Sequence, residues 1–466
     1  MDEKEIIGKF TQFKNCCKII WSVADNNIEE IVSQMSEFIE NKIIEIETVF
    51  YYFGFKCAAN PLLIRSIFTV LKSIYQKFKV NQIHSTIYSE DLHELLQKYK
   101  MMECKHDISC DEEKIYDVYD KNSVNYFLLH DDVENLIKFV EENGMDVVVS
   151  IEEFIQLLVF SNILDIAAFY GSENCFKFLL NSGMKPGRET FYAAICGGNF
   201  TIISIVDQIQ NKADGYCADL SVLFHHNDVY EFLHSKYNVE CCWLSPIKSG
   251  NIDIFEEMME SNCMRRDRTG KYPLISATSV KIKELIPYII LKATHPDIMD
   301  SSEDTSLMIA CKNGDLEAVK ILIENGANIN FCNQFDMSAL LFAADYHRYN
   351  VFEYLMKNGA DLKAKDSQGN EFPIMIHLIG NDSETNEETL IFYKRVLNCG
   401  VNINGRGLNG DTPLHIAVMN NNVSLVRFLL ENDADISIKN EMNQDPLQIA
   451  EENAYQDIID ILVKEI

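Results

Sequence analysis

A small residue returns every 33 positions along the second half of this chain. Ala277, Ala310 and Ala343 stand 33 apart, as do Ala417 and Ala450. Each closes the same short frame. It reads Tyr272-Pro273-Leu274-Ile275-Ser276-Ala277, then Thr305-Ser306-Leu307-Met308-Ile309-Ala310, then Ser338-Ala339-Leu340-Leu341-Phe342-Ala343. Thr412-Pro413-Leu414-His415-Ile416-Ala417 and Asp445-Pro446-Leu447-Gln448-Ile449-Ala450 repeat it. Such a period marks a stack of supersecondary units. No unit buries its apolar face alone, and its neighbours supply the missing surface.

Each unit has the same internal order. A turn signal opens it, as in Asp267-Arg268-Thr269-Gly270 or Asp366-Ser367-Gln368-Gly369. A short helix follows, and its small residue lets neighbouring helices approach closely. After a polar break such as Asn313-Gly314-Asp315, a second helix runs over Leu316 to Ile323 with apolar residues at three- and four-residue spacing. Gly326 and Gly359 then stand where a left-handed residue ends a helix, in Asn325-Gly326-Ala327-Asn328 and Asn358-Gly359-Ala360-Asp361.

These residues resemble ankyrin repeats. The resemblance rests on Thr412 to Ala417, the Asp-x-x-Gly turns and the Asn-Gly-Ala-Asp/Asn endings, and it is most specific from Ala277 to Ile466. Upstream it continues in Leu164 to Gly183, Phe191 to Ile203 and Val124 to Gly144, with shortened units at Leu220 to Tyr237 and Trp243 to Cys263. The drifting pattern behind a helical leader is also similar to the large divergent ankyrin families of protozoan parasites. The resemblance implies an all-α solenoid of about eleven helical hairpins with short turns, over roughly three quarters of the chain. It divides the chain into a helical N-terminal region (1–115), divergent repeats (116–268) and well-formed repeats (269–466).

Two joints depart from the pattern. From His377 to Ala417 the spacing is 40, and the excess is a polar, acidic insertion at 381–388. Pro246-Ile247 stands where a small residue is expected, so the stack is expected to distort at both places. Residues 1–115 read as helices of a cap or a separate domain. The clearest runs from Pro61 to Phe78, with Leu63, Ile64, Ile67, Phe68, Leu71, Ile74, Tyr75 and Phe78 on one face. Asp111-Glu112-Glu113 marks the expected boundary.

Catalytic signatures are missing. The sequence has no phosphate loop, no Gly-x-Ser-x-Gly elbow and no His-Glu-x-x-His. Cys104, His106 and Cys110 offer three zinc-type ligands where four are needed, and His225-His226 with Cys217 and Cys241-Cys242 is looser still. Both read as structural, so no metal, cofactor or enzymatic activity is expected. In the family, the Thr412 and His415 positions tie the turn to the helix by hydrogen bonds, and Pro413, Leu414 and Ala417 complete that motif.

A net charge of -30 disfavours nucleic acid and anionic lipid as partners. No apolar run is long enough to span a membrane, and the acidic start argues against a secretory signal. The 14 scattered cysteines, none in a Cys-x-x-Cys pair, suit a reducing compartment. The expectation is a monomeric cytoplasmic protein.

The resemblance implies that other proteins bind a concave surface made of turns and first helices. Alignment places Arg268 and Thr269 on that surface, then Gln334, Phe335, Met337, Asp345 and Tyr346. Leu408, Asn409, Asp411, Met419 and Asn420 follow, then Glu441, Met442, Gln444, Glu452 and Asn453. Exposed aromatic residues and Met are what hot spots are built from. The reading is a non-catalytic scaffold or adaptor. The alternative is the substrate-recognition subunit of a ubiquitin ligase, with its docking element in residues 1–115.

Overall fold

The computed structural model describes residues 2–59, 63–79, 121–145, 162–262, 265–293, 295–361, 374–379, 386–398, 400–407 and 409–465. Among these residues the regular elements are helices. Extended backbone pairs only in isolated bridges, Met299 with Thr305 and Cys332 with Ser338. The helices form two compact units, Met1–Ala293 and Thr294–Ile466.

Eleven antiparallel hairpins account for the described residues beyond 121. In the first unit they begin at Val124–Leu129, Ile163–Phe169, Arg188–Gly197, Gly215–Leu223, Leu244–Ser249 and Pro273–Ser279. In the second they begin at Ser306–Asn313, Ala339–Asp345, Ile374–Ile379, Pro413–Met419 and Pro446–Glu452. The repeated alanines are the packing points: Ala277, Ala310, Ala417 and Ala450 have no exposed surface, and Ala343 has 1%. The first helices at the two irregular joints, Leu244–Ser249 and Ile374–Ile379, have only six residues each. Pro246 is buried in the former, and the His377 side chain lies outside the described residues.

Inside the hairpins one residue per turn adopts the left-handed conformation. These are Asp131, Gly171, Gly198, His225, Gly250, Lys281, Gly314, His347, Asn421 and Ala454. The spacing is 27 from Gly171 to Gly198 and from Gly198 to His225, then 25 to Gly250, and returns to 33 between Lys281, Gly314 and His347. The short units save residues in the turn between hairpins. The helix Phe200–Gln210, for example, is followed almost at once by Gly215–Leu223.

In five of these turns the next residue reaches back to the preceding hairpin. Ser172 donates to the Leu128 carbonyl, Asn199 to Gly171 (3.0 Å), His226 to Cys196 (2.8 Å), Asn251 to Val222 (3.2 Å) and Arg348 to Lys312 (2.9 Å). Four of these carbonyls lie in the last turn of a first helix and that of Gly171 just beyond one, where few intrahelical donors remain. The ladder therefore gives each of these carbonyls a donor from the next hairpin and sets the stacking register together. Glycine makes room for it: a Cβ on Gly198 would sit 2.4 Å from the His226 ring, and one on Gly314 2.8 Å from Arg348. Gly198→Ala is expected to cost about 2–3 kcal/mol, combining left-handed strain with loss of the His226 bond. Gly326→Ala, at a left-handed helix end with φ +89 and open space around it, carries the strain alone. Urea midpoints of the two variants test the difference.

The leader comprises α1 (Glu3–Trp21), α2 (Ile28–Glu40), α3 (Ile46–Ala59) and α4 (Ile64–Phe78). The expected start of α4 at Pro61 lies outside the described residues. Asp2 caps α1 by accepting from the Glu5 amide (2.8 Å), and Ile6, Phe10, Phe13, Cys17 and Ile20 form its buried stripe. That stripe packs on the side of three hairpins within the same unit. Phe10 stacks on Tyr288, with ring centroids 3.6 Å apart. Lys14 reaches Asp253 (2.7 Å) and Glu256, and Trp21 stacks on His225 at 3.6 Å. The Trp21 indole donates to the Ser249 carbonyl (2.8 Å), and the Tyr52 hydroxyl donates to Ile247 (3.0 Å). The leader thus covers the interhelix turns of successive hairpins.

His225 under Trp21 is neutral. Burial lowers its pKa to about 3, and its Nε2 donates to the Ser249 carbonyl at 3.0 Å. A base held neutral by folding takes up its proton more readily when unfolded. Its stabilising share is therefore complete above about pH 6.5 and falls as pH drops toward 3. Between pH 7.5 and 5 the loss from His225 is expected to be about 2 kcal/mol. His225→Asn, which suits the left-handed turn, should reduce the change in unfolding free energy between those pH values, read from urea titrations, by that amount.

Candidate functional site

The surface opposite the interhelix turns is built by a repeated side-chain device. In the second unit the turns before three of the first helices open on an Asx residue that folds the backbone around itself. The Asn333 carbonyl oxygen accepts from the amides of Phe335 (2.9 Å) and Met337 (3.0 Å), while its amide donates to Asp304 of the preceding turn (2.5 Å). Asn440 repeats this: it accepts from Met442 and Gln444, both at 3.0 Å, and donates to Asp411 at 2.9 Å. Asp300 and Asp267 wrap their turns in the same way.

The residue two places after the Asx projects from the turn. It is Phe335 in one turn, 64% exposed, and Met442 in another, 76% exposed. At the other ends of the first helices, next to the interhelix turns, stand Tyr346, 41% exposed, and Met419, 39% exposed. Tyr346 lies parallel to Phe342, and the Lys312 ammonium sits 5.1 Å from its ring centre. Exposed apolar side chains are thus held on a rigid frame, which keeps down the entropy lost on docking.

The other expected surface residues divide. Gln334 and Asn409 are exposed, while Met337 and Asp345 are half-buried. The Asn409 carbonyl accepts from the Glu441 amide at 2.9 Å, which brings Asn409 and Met442 together on adjoining turns. Asp411, expected on the surface, is only 8% exposed because Asn440 clamps it. Gln444 turns its side chain to Glu452 (2.7 Å) and its carbonyl to His415 (3.1 Å). Leu408 lies outside the described residues.

Arg268 belongs to the first unit. Its guanidinium pairs with Asp219 and packs over Gly215. Asp219 is 5% exposed and also accepts from the Cys242 amide (2.7 Å) and the Ser245 hydroxyl (2.8 Å). Arg268 therefore ties a turn to a neighbouring hairpin as well as facing solvent.

Thr412 and His415 form a capping box. The His415 Nδ1 accepts from the Thr412 amide (3.1 Å) and lies 2.8 Å from its hydroxyl. That fixes the proton on Nε2, which donates to Gln444 of the next hairpin. With no exposed surface, this imidazole has no access to a substrate. Pro413 stands in the first turn of its helix, and Pro413, Leu414 and Ala417 are buried.

Among the described residues no group of three or more His, Cys, Asp and Glu side chains could hold a metal. His225 and His226 serve different carbonyls, Ser249 and Cys196. Cys104, His106 and Cys110 lie outside the described residues. Burial pushes the Cys217, Cys241, Cys242 and Cys311 thiols up, away from the reactive thiolate. No helix among the described residues is long and apolar enough to cross a membrane.

This turn-helix-helix unit agrees with the comparison to known families. The family described as ankyrin repeats (3 copies) matches residues 281–366 and 375–466. The chain carries ankyrin repeats. A second match, to a domain of unknown function (DUF3447), covers residues 183–258, where the hairpins are shortened.

A protein of Acanthamoeba polyphaga mimivirus named for ankyrin repeats is 24% identical over 40% of this chain and 25% of its own length. An L-asparaginase of Dirofilaria immitis is 31% identical over 36% of this chain and 28% of its own. The chain thus spans about a quarter of the length of these relatives. The solved ankyrin repeat domain of Bcl-3, an IkappaB family member, is 22% identical, with 48% of this chain and 98% of that domain covered at a TM-score of 0.41.

Proposed function

We propose that this chain is a non-catalytic scaffold or adaptor that seats a partner protein on the turns and first-helix ends of Thr294–Ile466. Ankyrin repeats imply a protein-protein interaction role, and the proposal places it on one surface. The observation that carries it is the Asx-wrapped turn, which holds Phe335 and Met442 outward at 64% and 76% exposure. Neither side chain serves the core, so each is free to fill a partner's pocket. The buried, unreactive thiols support placement in the cytoplasm, and we take the chain to act as a monomer.

Phe335→Ala, Tyr346→Ala and Met442→Ala combined are expected to leave helicity unchanged and each to alter the unfolding free energy by no more than about 0.5 kcal/mol, since these groups are exposed. They are expected to weaken partner retention by at least about tenfold. Capture from lysate by the two proteins, matched by circular dichroism, tests both expectations. Equal retention would move binding to another surface.

A further inference from the structure

The leader closes over a carboxyl group that its packing leaves half satisfied. Glu284 lies in the short 3-10 turn Lys283–Leu285, at the interhelix turn of the hairpin that begins at Pro273–Ser279. Its Oε1 accepts from the Thr48 hydroxyl of α3 (2.9 Å) and from the Glu45 amide just before α3 (3.3 Å). Its Oε2 is buried and has no hydrogen-bond partner among the described residues.

The groups that face Glu284 do little to support a negative charge. Glu45 brings a like charge from the leader and is itself held by Lys283 at 2.7 Å. α1 brings Cys16 and Cys17, and α3 brings Tyr52, all of them buried. A carboxylate can only accept, so a buried oxygen without a donor leaves its charge uncompensated, and the protonated form is favoured. Burial pushes the Glu284 pKa up, and the Glu45 charge adds to the push. With the leader lifted away, the same side chain stands on a turn in water and ionises in the ordinary range.

We propose that closing the leader takes up a proton at Glu284, which makes the leader a clamp that loosens as pH rises. Opening uncovers the apolar stripe of α1 and the interhelix turns that carry His225, Ser249 and Glu284. A carboxyl that binds its proton more tightly when covered stabilises the closed leader fully below the ordinary value of 4.5, and that share is lost as pH rises from there through the raised value. His225 and Lys56 titrate in the opposite sense, because burial lowers the pKa of each.

Urea titrations of the full chain, followed by tryptophan fluorescence, read this unit, because Trp21 and Trp243 both lie in Met1–Ala293. Glu284→Gln keeps the shape and removes the ionisation, while His225 and Lys56 are common to both proteins. The ratio of the parent's unfolding constant to the variant's is expected to rise about tenfold between about pH 5 and pH 8. Amide exchange, corrected for its intrinsic pH dependence, is expected to show α1 and α3 losing more protection over that range in the parent than in the variant, with the hairpins of Thr294–Ile466 alike in both. Glu284→Leu, which needs no hydrogen bond, gives the same comparison if the amide variant fails to fold. An unchanged or falling ratio would overturn the proposal. So would a rising ratio in which α1 exchanges alike in parent and variant, because the proton would then be held by the hairpins and not by the closed leader.

Discussion

Replacing Asp219 by alanine is expected to destabilise Met1–Ala293 by about 3–5 kcal/mol. This carboxylate, 5% exposed, accepts from the Cys242 amide and the Ser245 hydroxyl and pairs with Arg268. Without it, two buried donors lose their acceptor and a guanidinium loses its counter-charge. The ion pair is the lesser part, because the Arg268 side chain is 43% exposed and water screens it. Arg268→Ala is therefore expected to cost only about 1 kcal/mol. Asp219→Asn, which keeps an acceptor oxygen for Cys242 and Ser245, falls between the two. Urea denaturation of the three variants should give that order. A larger loss from Arg268→Ala than from Asp219→Ala would show that the ion pair, and not the hydrogen bonding, holds the joint.

Trp21→Ala is expected to cost about 3 kcal/mol, the lower end for a large aromatic, because Trp21 is only part-buried. The loss should be local. Removing the indole leaves His225 without its stacked partner and Ser249 without one donor. The Lys56 ammonium, buried against the Trp21 and Val23 carbonyls with its pKa lowered to about 8, then loses the wall that shields it. Hydrogen exchange should rise first in α1 and in the residues it covers, while the hairpins of Thr294–Ile466 keep their protection. The chain has 2 tryptophans, so Trp243 becomes the sole intrinsic fluorophore, and at 1% exposure it reports on the neighbouring core. An unchanged exchange pattern would mean that α1 is held by its Phe10 end alone.

The hairpins are legible in the sequence because their cause is local. A wrapped turn, a small packing residue, a polar break and a glycine end each unit within 33 positions, and the helices follow from three- and four-residue spacing. What escapes is non-local. The buried stripe of α1 is visible as Ile6, Phe10, Phe13, Cys17 and Ile20, but its partners Asp253, Phe255 and Tyr288 lie more than 200 residues away. Arg268 and Asp411 align with surface positions, yet Asp219 and Asn440 bind them. A signal for Asp411 was available: Asn440 recurs where Asn333 stands, and each reaches back to the acid of the preceding turn. The shortened units between Gly171 and Gly250 lack the long turn, so their weak pattern is a deletion and not a loss of the hairpin.

The most direct test of the partner surface is site-specific photocrosslinking within the last repeat. Met442 and Val463 are both apolar and exposed, at 76% and 55%, but one tips a turn and the other lies on the second helix Gln456–Glu465. A photoreactive residue at 442 is expected to crosslink the partner retained by the chain, and one at 463 is expected to give none. Crosslinking at 463 without any at 442 would contradict the account and place the partner on the second helices.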